Sequence, residues 1–404
     1  MKKFVCYIMM FAVTVFGSID CFAVNMSVEE VEMVTCETDL LSVSDASVIT
    51  DAKLNVNAKA VVLMEKTTGK VLYAENEHER LYPASVTKIM SILLVCEAIE
   101  SGKINLGDVV VCSENAASKG GSQIWLESGE SMSVEELLKA TCVYSANDAC
   151  TLLGEYVAGS ESAFNDLMNS RAAALGMSDT HFDNCTGLDD TTDTHLTSAY
   201  DVAVMSRELL KYDFIKEYTT IWMDSLRGGE TELVNTNKLV RYYNGITGLK
   251  TGTTEKAGCC VSATAERDAM ELIAVVMGSD NSKDRFASAE TLLDWGFANF
   301  EIITPQPDGV PEFIKVVLGE YETVNLKYET IKPILINKGD SEKLSFEINI
   351  PQEIYAPVKS GENVGHISIK INEDIVEEYP ITVSDDVDTL SFSGAMRKLL
   401  LSFS

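Results

Sequence analysis

The amino-acid sequence predicts an α+β fold with a small all-β domain appended to it. Three features carry that expectation. Apolar runs of strand length lie within residues 58–75 and again after residue 258, helical periods fill the stretch between, and strict alternation takes over beyond Ile303. Strands at both ends with helices between imply a sheet assembled from distant parts of the chain.

Residues 1–23 open with Lys2 and Lys3, continue through an apolar run from Phe4 to Phe16, and end in Cys21-Phe22-Ala23. This pattern reads as a secretory signal peptide. The run is short for a membrane span, and no other stretch approaches the roughly 20 apolar residues that one needs. The mature chain is therefore expected to be exported, and soluble or peripheral. Residues 24–50 are acidic, with few basic residues and no clean period, and read as a loosely ordered leader.

Net charge bounds the function classes. The 404 residues carry a formal charge of −30, which argues against nucleic-acid binding, since that depends on basic patches. Ten cysteines in an exported chain would ordinarily suggest disulfides. Their placement does not: Cys96 falls in an apolar helix, Cys142 and Cys150 two turns apart, and Cys259 beside Cys260 on a strand. They read as small buried hydrophobes. With four histidines and no Cys-x-x-Cys or His-x-x-x-His spacing, no metal site is expected.

The catalytic domain is expected over residues 51–302. AKAVVLMEKTTGKVLYAEN places two short strands around Thr67-Thr68-Gly69. LYPASVTKIMSILLVCEAI follows, and Pro83 suits the first turn of a helix apolar on nearly every side. Ser85 and Lys88 then lie one turn apart on one face, so the amine can take the hydroxyl proton. Unpaired N–H groups and the positive end of the helix dipole favour an oxyanion there. Residues 134–176 are helical in pattern, with Ser133 and Glu136 forming a capping box and Ser145 and Asn147 in mid-helix. CCVSATAERDAMELIAVVMGS reads as two strands joined at Glu266-Arg267-Asp268, with a helix from about Lys283 to Phe297.

Beyond Ile303, LSFEINI and HISIKI alternate strictly among other short strands, giving a β-domain over 303–385. The last stretch, 386–404, pairs Leu390, Phe392, Met396, Leu399, Leu400, Leu401 and Phe403 with Arg397 and Lys398. It reads as an amphipathic helix lying in a membrane surface.

Alone, a Ser-x-x-Lys pattern arises by chance. Here Ser85 and Lys88 are followed by Ser145-Ala146-Asn147 and then by Lys250-Thr251-Gly252. That order is the serine acyl-enzyme signature of penicillin-binding proteins and class A β-lactamases. Over nearly its whole length the chain resembles the low-molecular-weight penicillin-binding proteins that act as serine-type D-alanyl-D-alanine carboxypeptidases. The likeness extends through YSANDACTLLGEYVAGSESAF, LGMSDTHFDNCTGLDD, NTNKLVRYYNGITGLKTGTTEKAGCC and RFASAETLLDWGFANFE, and APVKSGENVGHISI resembles the family's C-terminal β-domain. The resemblance implies a β-lactamase/transpeptidase-like catalytic domain, an antiparallel sheet with a helical cluster, followed by the β-domain and a membrane-associating tail.

It also implies roles for named residues. Ser85 would attack the carbonyl of the penultimate D-alanine of a peptidoglycan stem peptide, and Lys88, kept partly neutral by burial and by the Lys250 charge, would accept its proton. Ser145 would relay a proton to the leaving D-alanine, and Asn147 would hold the substrate amide and the lysine. Lys250 and Thr251 would bind the terminal carboxylate beside Gly252, and the N–H groups of Ser85 and Thr253 would form the oxyanion hole. No cofactor is implied, and β-lactam antibiotics would be inhibitors. A β-lactamase is the nearest rival, but Ala146 stands where class A enzymes have aspartate, and a soluble lactamase needs neither the β-domain nor the tail. A D,D-endopeptidase would use the same residues, while a relict wall-binding protein would not need the complete set.

Overall fold

The computed structural model describes residues 52–189 and 192–401. The segments expected as signal peptide and acidic leader lie outside the described residues.

A five-stranded sheet forms the centre of the first part of the chain. Its order is Val71–Glu75, Ala60–Glu65, Met270–Ser279, Gly258–Arg267 and Ile246–Thr254, every neighbouring pair antiparallel. The sheet thus joins a hairpin from before the helices to three strands from after them. Both of its faces are covered, which is why its strands read as continuous apolar runs. Val62, Met64, Ile273, Val275 and Met277 pack into a core with the helices Lys88–Glu100, Asn147–Ala158 and Ala199–Leu209. Their neighbours Val61, Leu63, Leu272, Ala274 and Val276 face the helix Ser282–Asn299.

Local chemistry fixes the turns. At the first hairpin the buried Glu65 carboxylate accepts from the N–H groups of Thr67 and Thr68, each at 2.7 Å, and Gly69 supplies the left-handed residue. The last hairpin turns at Asp268 and Ala269, later than the expected Glu266-Arg267-Asp268. Both turn residues are left-handed, with φ of 49° and 64°, as a two-residue turn matched to strand twist requires. Alanine gives no sequence signal for that conformation. The capping box of Ser133 and Glu136 forms as the sequence indicates.

The expected continuous helix around Ser145 is broken. A helix over Val134–Lys139 runs into a single π turn, Ala140–Tyr144, then Ser145 is left-handed at φ 66°, Ala146 is extended, and a new helix begins at Asn147. Apolar periodicity crosses the break because Leu137, Leu138, Val143 and Ala149 enter one core on both sides of it. The pattern therefore hides it.

After the long C-terminal helix of this part, Phe300–Ile303 pairs with Ile334–Asn337, so the change of character at Ile303 falls at the end of a strand. Beyond it lies a six-stranded sheet that includes the alternating Leu344–Asn349 and Asn363–Ile371. It encloses two small cores, one around Ile367, Ile369 and Ile381 and one around Val316, Val358 and Val383. No helix among the described residues is long and apolar enough to cross a membrane. The seven described cysteines are buried and free, as their placement in apolar elements implies.

Two glycines bring the edge strand and a loop against the turn that carries Ser85. A Cβ on Gly252 would stand 2.8 Å from the Ser85 nitrogen and 2.9 Å from the Pro83 oxygen, and one on Gly187, at φ 86°, would overlap the Ala84 carbonyl. Gly252→Ala is expected to lower stability by about 2 kcal/mol in urea unfolding, because backbone lies on both sides of the added methyl. An unchanged midpoint would mean that the strand and the turn are free to separate.

Candidate active site

Ser85 sits in one 3₁₀ turn, Ala84–Thr87, directly ahead of the α-helix Lys88–Glu100. The sequence places the helix start at Pro83, but Ala84 is left-handed at φ 49°, so regular α-helix begins only at Lys88. A non-glycine residue held there costs about 1–2 kcal/mol and marks a turn fixed by its surroundings. Those surroundings are Gly187 and Gly252, and also His195, which sequence reasoning passed over. Burial lowers the His195 pKa to about 4. Its Nδ1 accepts from the Asp183 N–H at 3.0 Å, which leaves Nε2–H to donate to Thr87 Oγ1 at 2.8 Å.

Lys88 is fully buried. Its Nζ donates to Ser85 Oγ at 3.0 Å, to Asn147 Oδ1 at 2.6 Å and to the Thr186 carbonyl at 2.7 Å. These acceptors take up the three protons of an ammonium. In the neutral amine two N–H groups stay with Asn147 and Thr186, so the lone pair falls toward the Ser85 hydroxyl. Burial brings the Lys88 pKa down to about 8, against a smaller opposing pull from Cys150, Cys185 and Asp148. Lysine at that value is a usable base near neutral pH. Burial is the main cause, and the second one that the family resemblance implies, the Lys250 charge, is a repulsion the two buried lysines share.

Lys250 is subject to the same repulsion. Its pKa lies well below the ordinary lysine value, through burial first and the charge of Lys88 second. Lys250 Nζ donates to Ser145 Oγ at 2.8 Å and to the Thr251 carbonyl at 2.9 Å. Asn147 Nδ2 donates to the Gly120 carbonyl at 2.6 Å, which ties the start of its helix to the loop before it. The left-handed Ser145 and extended Ala146 are what aim Ser145 at Lys250 and Asn147 at Lys88.

The edge strand carries Lys250, Thr251, Gly252 and Thr253 in succession. Thr251 Oγ1 donates to Thr236 Oγ1 at 2.7 Å, and Thr253 is exposed. Thr236 is a second residue absent from the sequence reading. It is held between buried Asn235, whose Nδ2 donates to the Ile221 carbonyl, and buried Asn237, whose Nδ2 donates to the Gly248 carbonyl. Two asparagines flanking a threonine were the available signal. All eight residues expected at the site therefore come together. Lys88 links Ser85 to Asn147, Lys250 links Ser145 to Thr251, and Gly252 seats the strand on Ser85. No cluster of metal-ligating side chains occurs among the described residues. A hydroxyl beside a base, a second hydroxyl beside a second amine, and a cationic pocket suit acyl transfer from a ligand with an anionic end.

Comparison with known proteins agrees. Residues 47–281 match the family model of D-alanyl-D-alanine carboxypeptidases, and residues 305–389 match that of the penicillin-binding protein 5 C-terminal domain. The chain is 40% identical over 355 residues to the D-alanyl-D-alanine carboxypeptidase DacF of Bacillus subtilis (strain 168), covering 86% of this chain and 90% of that protein. It is 36% identical to DacC of Escherichia coli (strain K12), over 84% of this chain and 86% of the relative. Penicillin-binding protein 5 from Haemophilus influenzae superposes with a TM-score of 0.73 at 28% identity, over 83% of this chain and 99% of that one. The chain belongs to the D-alanyl-D-alanine carboxypeptidases, the serine peptidases among the low-molecular-weight penicillin-binding proteins.

Proposed function

We propose that Ser85, Lys88 and Ser145 carry out the family reaction in this chain, release of the terminal D-alanine from a peptidoglycan stem peptide through an acyl-enzyme on Ser85. The observation that carries the assignment is the buried Lys88 amine, 3.0 Å from Ser85 Oγ with its other two protons already placed. Neutral Lys88 takes the Ser85 proton as Oγ attacks the penultimate carbonyl. Ser145 Oγ accepts from Lys250, so its own O–H is free to relay a proton to the amine of the departing D-alanine, and the proton that Lys88 took from Ser85 restores the Ser145 hydroxyl and leaves Lys88 neutral. Water then cleaves the ester.

Asn147 supports both reactants, holding Lys88 through Oδ1 and presenting its amide to the substrate. Lys250 and Thr251 receive the terminal carboxylate next to Gly252. No ion pair engages Lys250 among the described residues, so the incoming carboxylate would be its counter-charge and would raise its pKa again. The N–H groups of Ser85 and Thr253 form the oxyanion hole. Penicillins present a carboxylate and an acylating carbonyl to the same groups, which supports β-lactams as inhibitors.

The chain divides, on this reading, into a catalytic domain over 51–302, a β-domain over 303–385 and a tail from 386. The enzyme is exported and works peripherally on the outer face of the cytoplasmic membrane. Support for the membrane contact comes from the helix Phe392–Leu401, where Phe392 is 85% exposed and Leu400 68% exposed on an element that also carries Arg397.

Ser85→Ala is expected to abolish D-alanine release from a stem peptide ending in D-Ala-D-Ala while leaving the thermal midpoint nearly unchanged. Normal release by the variant would remove Ser85 as nucleophile. Ending the chain after Leu390 spares the β-domain, since Val387 is buried and Leu390 N–H pairs with the Leu318 carbonyl. That truncation is expected to move the exported protein from the membrane fraction to the soluble one, and unchanged partitioning would show that the tail is no anchor.

A further inference from the structure

Arg285 is buried, 5% exposed, and makes no ion pair among the described residues. It lies in the first turn of the helix Ser282–Asn299, where the helix dipole disfavours a cation, and its Nε has no hydrogen-bond partner. A guanidinium kept against burial, dipole and an unmet donor departs from ordinary stabilising chemistry, and such departures gather at functional sites. Its contacts point to the reason. Nη1 donates to the Gly252 carbonyl at 3.1 Å, to Thr253 Oγ1 at 3.2 Å and to the Cys260 carbonyl at 3.2 Å, while Nη2 donates to Ser282 Oγ.

Gly252 and Cys260 are register partners in adjacent strands. Arg285 holds both carbonyls, so the Gly252 C=O is directed toward the neighbouring strand. The peptide between Gly252 and Thr253 is trans, because the cis bonds among the described residues lie at Gly248–Leu249 and Ala356–Pro357. In a trans peptide the N–H points opposite to the C=O. The Thr253 N–H therefore points out of the free edge of the sheet, one residue along from the Gly252 that abuts the Ser85 nitrogen. A cation on the carbonyl of an amide polarises that amide and strengthens its N–H as a donor.

We infer that Arg285 is a positioning residue for the oxyanion hole, orienting and polarising the Gly252–Thr253 peptide whose N–H meets the acyl carbonyl. This rests on the assignment of the Thr253 N–H as an oxyanion donor, and it adds that the donor is tuned from behind the strand. Arg285 touches no substrate in this account.

The test uses the full exported chain, Arg285→Gln to remove the charge and Arg285→Lys to retain it, with thermal unfolding of each. Each protein is acylated with benzylpenicillin labelled with ¹³C at its β-lactam carbonyl, and the ester stretch of the penicilloyl-enzyme is read by difference infrared spectroscopy. Loss of a whole oxyanion donor costs 10²- to 10³-fold, so weakening one is expected to slow the limiting acylation rate about tenfold in Arg285→Gln, with half-saturation by the drug little changed. The ester band should move to higher frequency in Arg285→Gln and by less in Arg285→Lys. A folded Arg285→Gln variant with the wild-type band would overturn the inference, as would an effect confined to half-saturation, which would make Arg285 a carboxylate ligand. Should Arg285→Gln not fold, the lysine variant decides, a wild-type band with slowed acylation counting against the inference. A wild-type ester band at the frequency of an unbonded ester would instead remove the oxyanion assignment itself.

Discussion

Three buried basic side chains surround the strand that carries Lys250: Lys88, Lys250 and Arg285 are each at most 5% exposed, and none makes an ion pair among the described residues. Buried Asp148, whose charge bears on Lys88, is committed to the N–H groups of Ile124 and Leu126. An unpaired charge inside a protein is costly, and the two responses open to it are deprotonation and an external counter-ion. Lys88 follows the first route, with a pKa brought down to about 8 beside the hydroxyl that it would deprotonate on the proposed reading. Lys250, whose pKa is lowered as well, would meet the second, on the proposed reading, in the carboxylate end of a stem peptide or a penicillin. One electrostatic deficit thus supplies a base and an anion pocket together.

The fold holds this arrangement with backbone conformations that are locally unfavourable. Ala84 and Ser145, the residue before Ser85 and the serine of the second motif, are both left-handed. Neither conformation would persist in an isolated segment. Each is over-determined by tertiary contacts: Ala84 by the approach of Gly187 and Gly252, and Ser145 by the π turn behind it and the new helix at Asn147. An antiparallel sheet whose edge strand derives from residues 246–254 puts Lys250 opposite a helix from residues 88–100, and the strand order does the rest.

Much of this was legible in the sequence because it lies in residue types. The Ser85–Lys88 spacing, the Ser145–Asn147 and Lys250–Gly252 motifs, the doubly buried strands and the alternating C-terminal ones all follow from chemistry or periodicity. What escaped lies in the backbone and in distance. Thr186 binds Lys88 through a carbonyl, which any residue could supply. The break at Ser145 is masked because both flanking helices bury apolar residues in one core, and the turn at Asp268 and Ala269 uses an alanine where the signal residues would be glycine or asparagine. Arg285 was not singled out, since only the fold reveals that it points inward at Gly252.

The account stands on Lys88 being a neutral base, and the pH dependence of acylation tests that most directly. Because burial lowers its pKa to about 8, the neutral form prevails above that value and is lost as pH falls through it. The second-order rate of penicilloyl-adduct formation on Ser85, followed by intact-protein mass at benzylpenicillin well below half-saturation, should be level above pH about 8 and fall about tenfold per pH unit below it. A rate that stays constant from weakly acid to alkaline pH would contradict the account, because a protonated Lys88 cannot accept the serine proton.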